Sequence, residues 1–286
     1  MYGVVDFYQA CLDEGIHPVI GCEVYVCPDM EDKQVVSREY SHLVLLCEND
    51  TGYQNLIKLV SEAWIRGFYY RPRIDYALLK EHSEGLIALS ACLSGDLRKL
   101  LLDGRMEDAR TYALTMQDIM GKGNFFIEVM DHGLREEKVV LPRLVRLSAE
   151  TGIPLVATND AHYLDRADAS AQEVLICLQT GKNLDDENRM RMETDQMYVK
   201  SEAEMRALFP DLHDAVERSQ EIARRCQVKL DFSSTHLPYY PTEEGETAEE
   251  LFRRLLEEGF ARRYPDNPAE ARERLAFEID TIVTMG

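Results

Sequence analysis

What most constrains this chain is an alternation along its first two-thirds. Short, continuous apolar runs follow one another, separated by stretches with helical apolar spacing. The runs at 17–26, 42–47, 85–90, 124–130 and 153–158 read as strands, and the segments at 4–13, 53–65, 95–102, 107–120, 135–150 and 168–179 read as helices. Strands apolar along their whole length need cover on both faces, so the pattern points to an α/β class with βαβ units around a parallel sheet or barrel. After Thr180 the texture changes. Residues 183–194 are polar and charged, 196–200 form a short strand candidate, and Ser201 with Glu204 fits a capping box opening a helix that Pro210 ends. A helix at 212–226 follows, then a linker-like, Pro-containing stretch at 237–241 that runs into acidic residues, then helices at 247–263 and from 267 onward. There is no internal repeat and no low-complexity tract.

Composition narrows the function classes. Hydrophobic residues at 45% and charged ones at 29% exclude a disordered, collagen-like or coiled-coil chain. No apolar run approaches the roughly 20 residues of a membrane span, and the first residues show no basic, signal-like region. The expectation is a soluble, cytoplasmic protein without membrane contact. Acidic residues outnumber basic ones 52 to 32, a net charge of −20. Such a surface repels phosphate backbones unless cations cluster or metal ions intervene; plain solubility is the blander reading of the same excess. The seven cysteines form no C-x-x-C pair, which argues against a disulfide scaffold or zinc ribbon and for buried thiols, with Cys92 set apart below. P-loop, dinucleotide-binding and serine-hydrolase signatures are missing from the sequence.

The sharpest local signal is TNDAHY at 158–163, directly after a strand. In α/β folds the C-terminal strand ends carry the site, and Asp160 and His162, two residues apart, can enter one cavity as metal ligands; a polar turn with a surface His fits the same letters. Glu23 lies inside an apolar strand, where a carboxylate is paired, protonated, metal-bound or placed at an edge or barrel lumen. Taken singly, His42 reads as a satisfied core imidazole and Cys92, at a strand end, as a buried thiol. Taken together, Glu23, His42, Cys92, Asp160 and His162 form a mixed O/N/S donor set that suits Zn²⁺, Mn²⁺ or Fe²⁺ better than Mg²⁺ or Ca²⁺. Several such ions close together would cleave phosphoesters. Glu128 and His132 close another strand and are candidates for a supporting or substrate-facing role, or for a polar strand exit. His82, His213 and His236 read as solvent-facing. Residues 66–73, RGFYYRPR, are the one basic-aromatic cluster, able to touch nucleic acid or to pack under a helix.

Several longer stretches are more specific: MYGVVDFY at 1–8, IGCEVY at 20–25, HLVLL at 42–46, TGYQNLIKLV at 51–60, GFYYRPRI at 67–74, EGLIALS at 84–90, ATNDAHY at 157–163 and QTGKNLDD at 179–186. As a set they closely resemble the polymerase-and-histidinol-phosphatase (PHP) domain of the bacterial DNA polymerase III α-subunit family, the replicative DnaE-type polymerases. The resemblance implies an incomplete distorted (β/α)7 barrel over 1–236 and, at 237–286, a linker and the start of the polymerase palm region. It places Glu23, His42, Cys92, Asp160 and His162 on ligand positions of a Zn²⁺ or Mn²⁺ cluster linked to 3′–5′ proofreading. The parent activity it implies is DNA-directed DNA synthesis from deoxynucleotides, with Mg²⁺ at a polymerase site outside this chain. The partners it implies are DNA, a proofreading exonuclease subunit and the sliding clamp. The family's His-x-His segment would lie before Met1 and the polymerase aspartates after Gly286, so the chain is expected to be truncated at both ends, unstable alone and unable to polymerise DNA. A stand-alone PHP phosphoesterase and a non-catalytic scaffold for an exonuclease are the alternatives.

Overall fold

Every residue of the strand at Leu86–Leu89 and of the strand at Phe125–Val129 is buried, as their unbroken apolar sequence requires. They lie inside a six-stranded sheet in a computed structural model that describes residues 1–34, 40–233, 240–243 and 245–285. The chain divides into two compact units, Met1–Lys229 and Leu230–Gly286.

In the first unit, α1 (Val4–Asp13) leads to β1 (Gly21–Cys27) and β2 (Ser41–Cys47), then α2 (Asp50–Ile65), β3 (Arg73–Asp75), α3 (Tyr76–Glu81) and β4 (Leu86–Leu89). There follow α4 (Asp96–Leu102), α5 (Met106–Met120), β5 (Phe125–Val129), α6 (Arg135–Thr151), β6 (Leu155–Ala157), a 3₁₀ turn at Arg166–Asp168, α7 (Ala169–Thr180), α8 (Glu202–Leu208) and α9 (His213–Arg225). The strand order is β3-β1-β2-β4-β5-β6. β4, β5 and β6 are parallel, as is β3 to β1, but β2 runs antiparallel to both β1 and β4. The parallel arrangement expected from the sequence therefore holds only on either side of β2. A parallel β1–β2 pair would need a crossover helix, and no helix lies between them among the described residues.

The sheet is covered on both sides. Ile222 and Cys226, on α9 and just past its end, pack on Ile87, Leu89, Phe126 and Val156, while α5 packs on β4 and β5. Burying side chains of this size contributes about 1.5–3 kcal/mol each. Cys27, Cys47, Cys177 and Cys226 are buried as expected, and burial pushes the Cys47 and Cys226 thiols up to about 12 and 11. Such thiols are poor nucleophiles.

Local chemistry explains most boundaries. Asn49 caps α2 by accepting from the Gly52 N–H at 3.0 Å, and Ser201 with Glu204 forms the expected capping box on α8. The strand expected at 196–200 is reduced to one isolated bridge between Tyr163 and Tyr198. β3 and α3 were not anticipated; three residues are too few to show a period. In the second unit α10 (Ala248–Arg263), opened by a Thr247–Glu250 capping box, and α11 (Ala269–Met285) are held by Arg272, which pairs with Glu257 and lies 4.0 Å over the Phe260 ring. His236 and most of the stretch 237–241 lie outside the described residues. No helix among the described residues is long and apolar enough to cross a membrane.

One close approach is diagnostic. A Cβ on Gly52 would sit 1.8 Å from the carbonyl oxygen of Gly85, itself at φ +71°. Gly52→Ala is expected to lower unfolding free energy by about 2 kcal/mol or more, read from urea denaturation.

Candidate metal centre

Because β2 is antiparallel to β4, the start of β2 lies at the same sheet edge as the end of β4. That brings His42, Cys92 and, across the β1–β2 ladder, Glu23 together. His42 Nδ1 is 3.0 Å from Glu23 Oε1 and 3.8 Å from Cys92 Sγ. One donor atom from each of the three lies within 4.8 Å of the others. The bonds to Cys92 and Glu23 outweigh desolvation and push the His42 imidazole up to about 10. A proton thus sits among carboxylate, imidazole and thiol donors, the place a divalent cation would take.

Of the settings open to Glu23, the structure shows an exposed carboxylate paired with His42. Cys92 is half-buried rather than a core thiol, and His42 is likewise half-buried. Asp160 and His162 line the same cavity of about 300 Å³ as Glu23, His42, Cys92 and His132, but stand outside the tight trio. His162 Nδ1 donates to the Asp160 carbonyl at 2.8 Å, so in the neutral ring Nε2 is the nitrogen free to bind a metal. Two strand exits beside the cavity are strained: Ala91, next to Cys92, has φ +64° and Asp160 has φ +37°. Such non-glycine conformations cost about 1–3 kcal/mol each and persist only where the surroundings enforce them.

Glu128 supplies part of that enforcement. It is buried, accepts from the Ala91 N–H and, at 2.8 Å, from the Thr158 hydroxyl, while its own N–H donates to Ser90 Oγ at 2.9 Å. One carboxylate therefore fastens the exits of β4, β5 and β6. Burial raises its pKa, against the pull of Thr158, Arg98 and Ala91. Arg98, also buried, donates to the Glu128 carbonyl at 3.1 Å, and desolvation lowers its pKa.

His132 lines the cavity yet is almost fully enclosed. Its Nδ1 meets Glu137 Oε1 at 2.7 Å and its Nε2 meets the Asn159 carbonyl at 2.9 Å. Both partners are acceptors, so both ring nitrogens donate and the ring is a cation neutralised by Glu137. Desolvation opposes this, but the Glu137 and Asn159 bonds leave His132 raised, and the same contact leaves Glu137 lowered despite its burial. The pair holds Asn159, the neighbour of Asp160, in place. Glu137 and Arg98 were not anticipated: in sequence each is one charge in a helical turn, with nothing to distinguish it from its exposed neighbours. Met190 and Met192, also on the cavity wall, come from the polar stretch 183–194, and Met197 from the strand candidate at 196–200. His213 is exposed as expected, whereas His82 is half-buried against α3.

Residues 1–132 match the family model described as the PHP domain, a span that holds Glu23, His42, Cys92, Glu128 and His132. Over its whole length the chain is similar to the DNA polymerase III subunit alpha of Treponema pallidum (43% identity) and of Borreliella burgdorferi (39%), covering 25% of each. It is 40% identical to that of Thermus aquaticus over 95% of this chain and 23% of the relative. The resemblance read from the sequence is borne out, and the chain spans about a quarter of the length of these relatives.

Breaking the buried pair should be costly. His132→Ala or Glu137→Gln is expected to remove about 3–5 kcal/mol of stability. His132 is raised above its ordinary 6.5, so its share is fully present below that pH and fades as pH rises through the folded value. Glu137 is held below its ordinary 4.5, so its share is present above that and lost on acidification. The difference between wild type and variant in denaturation experiments should therefore be greatest between those two values.

Proposed function

We propose that this chain is part of a DNA polymerase III α subunit and that its cavity is a divalent-metal phosphoester centre. The observation that carries this reading is the convergence of Glu23, His42 and Cys92 from three strands, with Asp160 and His162 on the same wall. Carboxylate, imidazole and thiol donors in one cluster suit Zn²⁺, with Mn²⁺ the alternative. The bound cation would supply a Lewis acid and lower the pKa of a bound water. The chain's own residues do the positioning: Glu128 and the His132–Glu137 pair fix the two strained loops.

In the whole subunit we assign residues 1–236 to the PHP domain and 237–286 to a linker and the start of the palm region. The parent activity is template-directed DNA synthesis in replication, in the cytoplasm, from deoxynucleotides and with Mg²⁺ at a site outside this chain. The PHP centre contributes 3′–5′ proofreading, and an exonuclease subunit and the sliding clamp are its partners. The relatives' shared name supports the polymerase assignment.

Titration of the metal-free chain with Zn²⁺ or Mn²⁺ by calorimetry is expected to show stoichiometric binding, weakened at least about tenfold in His42→Ala and Cys92→Ala. Turnover of p-nitrophenyl phosphate with Mn²⁺ is expected to vanish in Asp160→Ala and His162→Ala. Absence of metal binding by the wild-type chain would refute the reading.

A further inference from the structure

The basic-aromatic run at 66–73 is not used by the centre, yet one end of it reaches the ligand cluster. Tyr25 pairs directly with His42 across the β1–β2 ladder, and Tyr40 precedes His42 by two residues. The Tyr40 and His42 rings lie parallel, 6.2 Å apart and within 4° of coplanar orientation, and Tyr25 meets both edge-on at 4.7 and 5.2 Å. Both tyrosines are half-buried, so each keeps part of a ring open to solvent.

The three arginines of the run have separate fates. Arg66 is engaged with Glu31 and Glu62. Arg73 is buried and donates to the carbonyls of Gly67, Met30 and Asp32. Arg71 is exposed, sits 5.9 Å from the Tyr25 ring centre and bonds to Tyr40, and among the described residues it makes no ion pair. Its position is set by a strained turn: Tyr70 has φ +60°, and Tyr69 donates its N–H to the Arg71 carbonyl at 3.0 Å. In a chain of net charge −20, Arg71 places an exposed guanidinium on an aromatic ledge beside a metal-ligand cluster, with no ion pair among the described residues.

We propose that Tyr25, Tyr40 and Arg71 form a nucleotide subsite of the metal centre, in which a base of a single-stranded DNA end stacks on the tyrosine ledge and Arg71 holds an adjoining phosphate. The substrate class rests on the phosphoester reading of the centre. The ledge supplies what that reading lacks, a surface that recognises a base. Ring stacking accepts any base, because every base has a π-face, and one guanidinium offsets the local repulsion of a phosphate.

The test is fluorescence anisotropy of the chain with a short labelled oligothymidylate and with an abasic deoxyribose-phosphate strand of equal length, both in EDTA. The wild type is expected to bind the oligothymidylate more tightly. Tyr40→Leu should weaken that binding about tenfold and leave the abasic strand unchanged, while Tyr40→Phe should restore it. Arg71→Ala should weaken both strands alike and reduce the salt slope by about one. Equal affinity of the wild type for the two strands overturns the proposal. So does a Tyr40→Leu variant that binds like wild type or loses both strands together, or a Tyr40→Phe variant that fails to restore binding. Because EDTA removes metal from every arm, a failed metal titration leaves this result standing, and the two readings fall separately.

Discussion

The antiparallel placement of β2 is the constraint on which the site depends. Along β2 the residues Ser41, Leu43, Leu45 and Cys47 are buried, and His42, Val44 and Leu46 alternate with them on the other, half-open face. A one-residue slip would carry His42 into the core and turn Leu43 and Leu45 outward. Val44 and Leu46 would take the buried places in exchange, so the cost lies chiefly in burying the polar His42 imidazole. That cost fixes which side chain faces Glu23 and Cys92.

Around this register the molecule places charge where an apolar core would be cheaper. Glu128 and Arg98 are buried, as are His132 and Glu137. Replacing such groups with well-packed apolar ones is often neutral or stabilising, so stability alone does not account for them. Their contacts do. Glu128 reaches the backbone beside Cys92 and the hydroxyl two residues before Asp160, and His132 reaches the carbonyl of Asn159. Both strained loops are held by a charged acceptor or donor that no apolar residue could replace. The strain at Ala91 and Asp160 and the buried polar network are two sides of one arrangement, in which loop conformation is fixed before a ligand arrives.

Much of the fold was legible because its signals are local. The expected helix at 4–13 is α1 residue for residue, the capping box at Ser201 marks a real helix start, and the helix expected at 247–263 is α10 with Thr247 as its cap. The apolar runs mark the strands, yet they carry no information about direction, and β2 was misjudged for that reason. At the site, Asp160 and His162 announce themselves by leaving a strand together. Glu23, His42 and Cys92 do not: they are far apart in sequence, each has an ordinary single-residue explanation, and they stand out only as a set of metal-binding residue types, which the resemblance then sharpens. Glu137 and Arg98 were invisible, because a buried charge looks like a surface charge until a long-range contact encloses it.

Charge links the cavity to the ledge. The cavity wall carries the carboxylates of Glu23 and Asp160 with the Cys92 thiol, on a chain whose net charge is already −20. Without a metal these carboxylates are only partly offset by the raised His42 imidazole, so the wall itself offers a phosphate little attraction beyond what Arg71 supplies at the ledge. A bound divalent ion reverses the sign locally while leaving the rest of the surface acidic. Phosphate approach is then confined to the immediate neighbourhood of the ion, where Arg71 stands over Tyr25 as the adjoining exposed cation. An acidic exterior and a phosphate-handling interior are therefore compatible, and the acidic exterior narrows where along the surface a polyanion can settle.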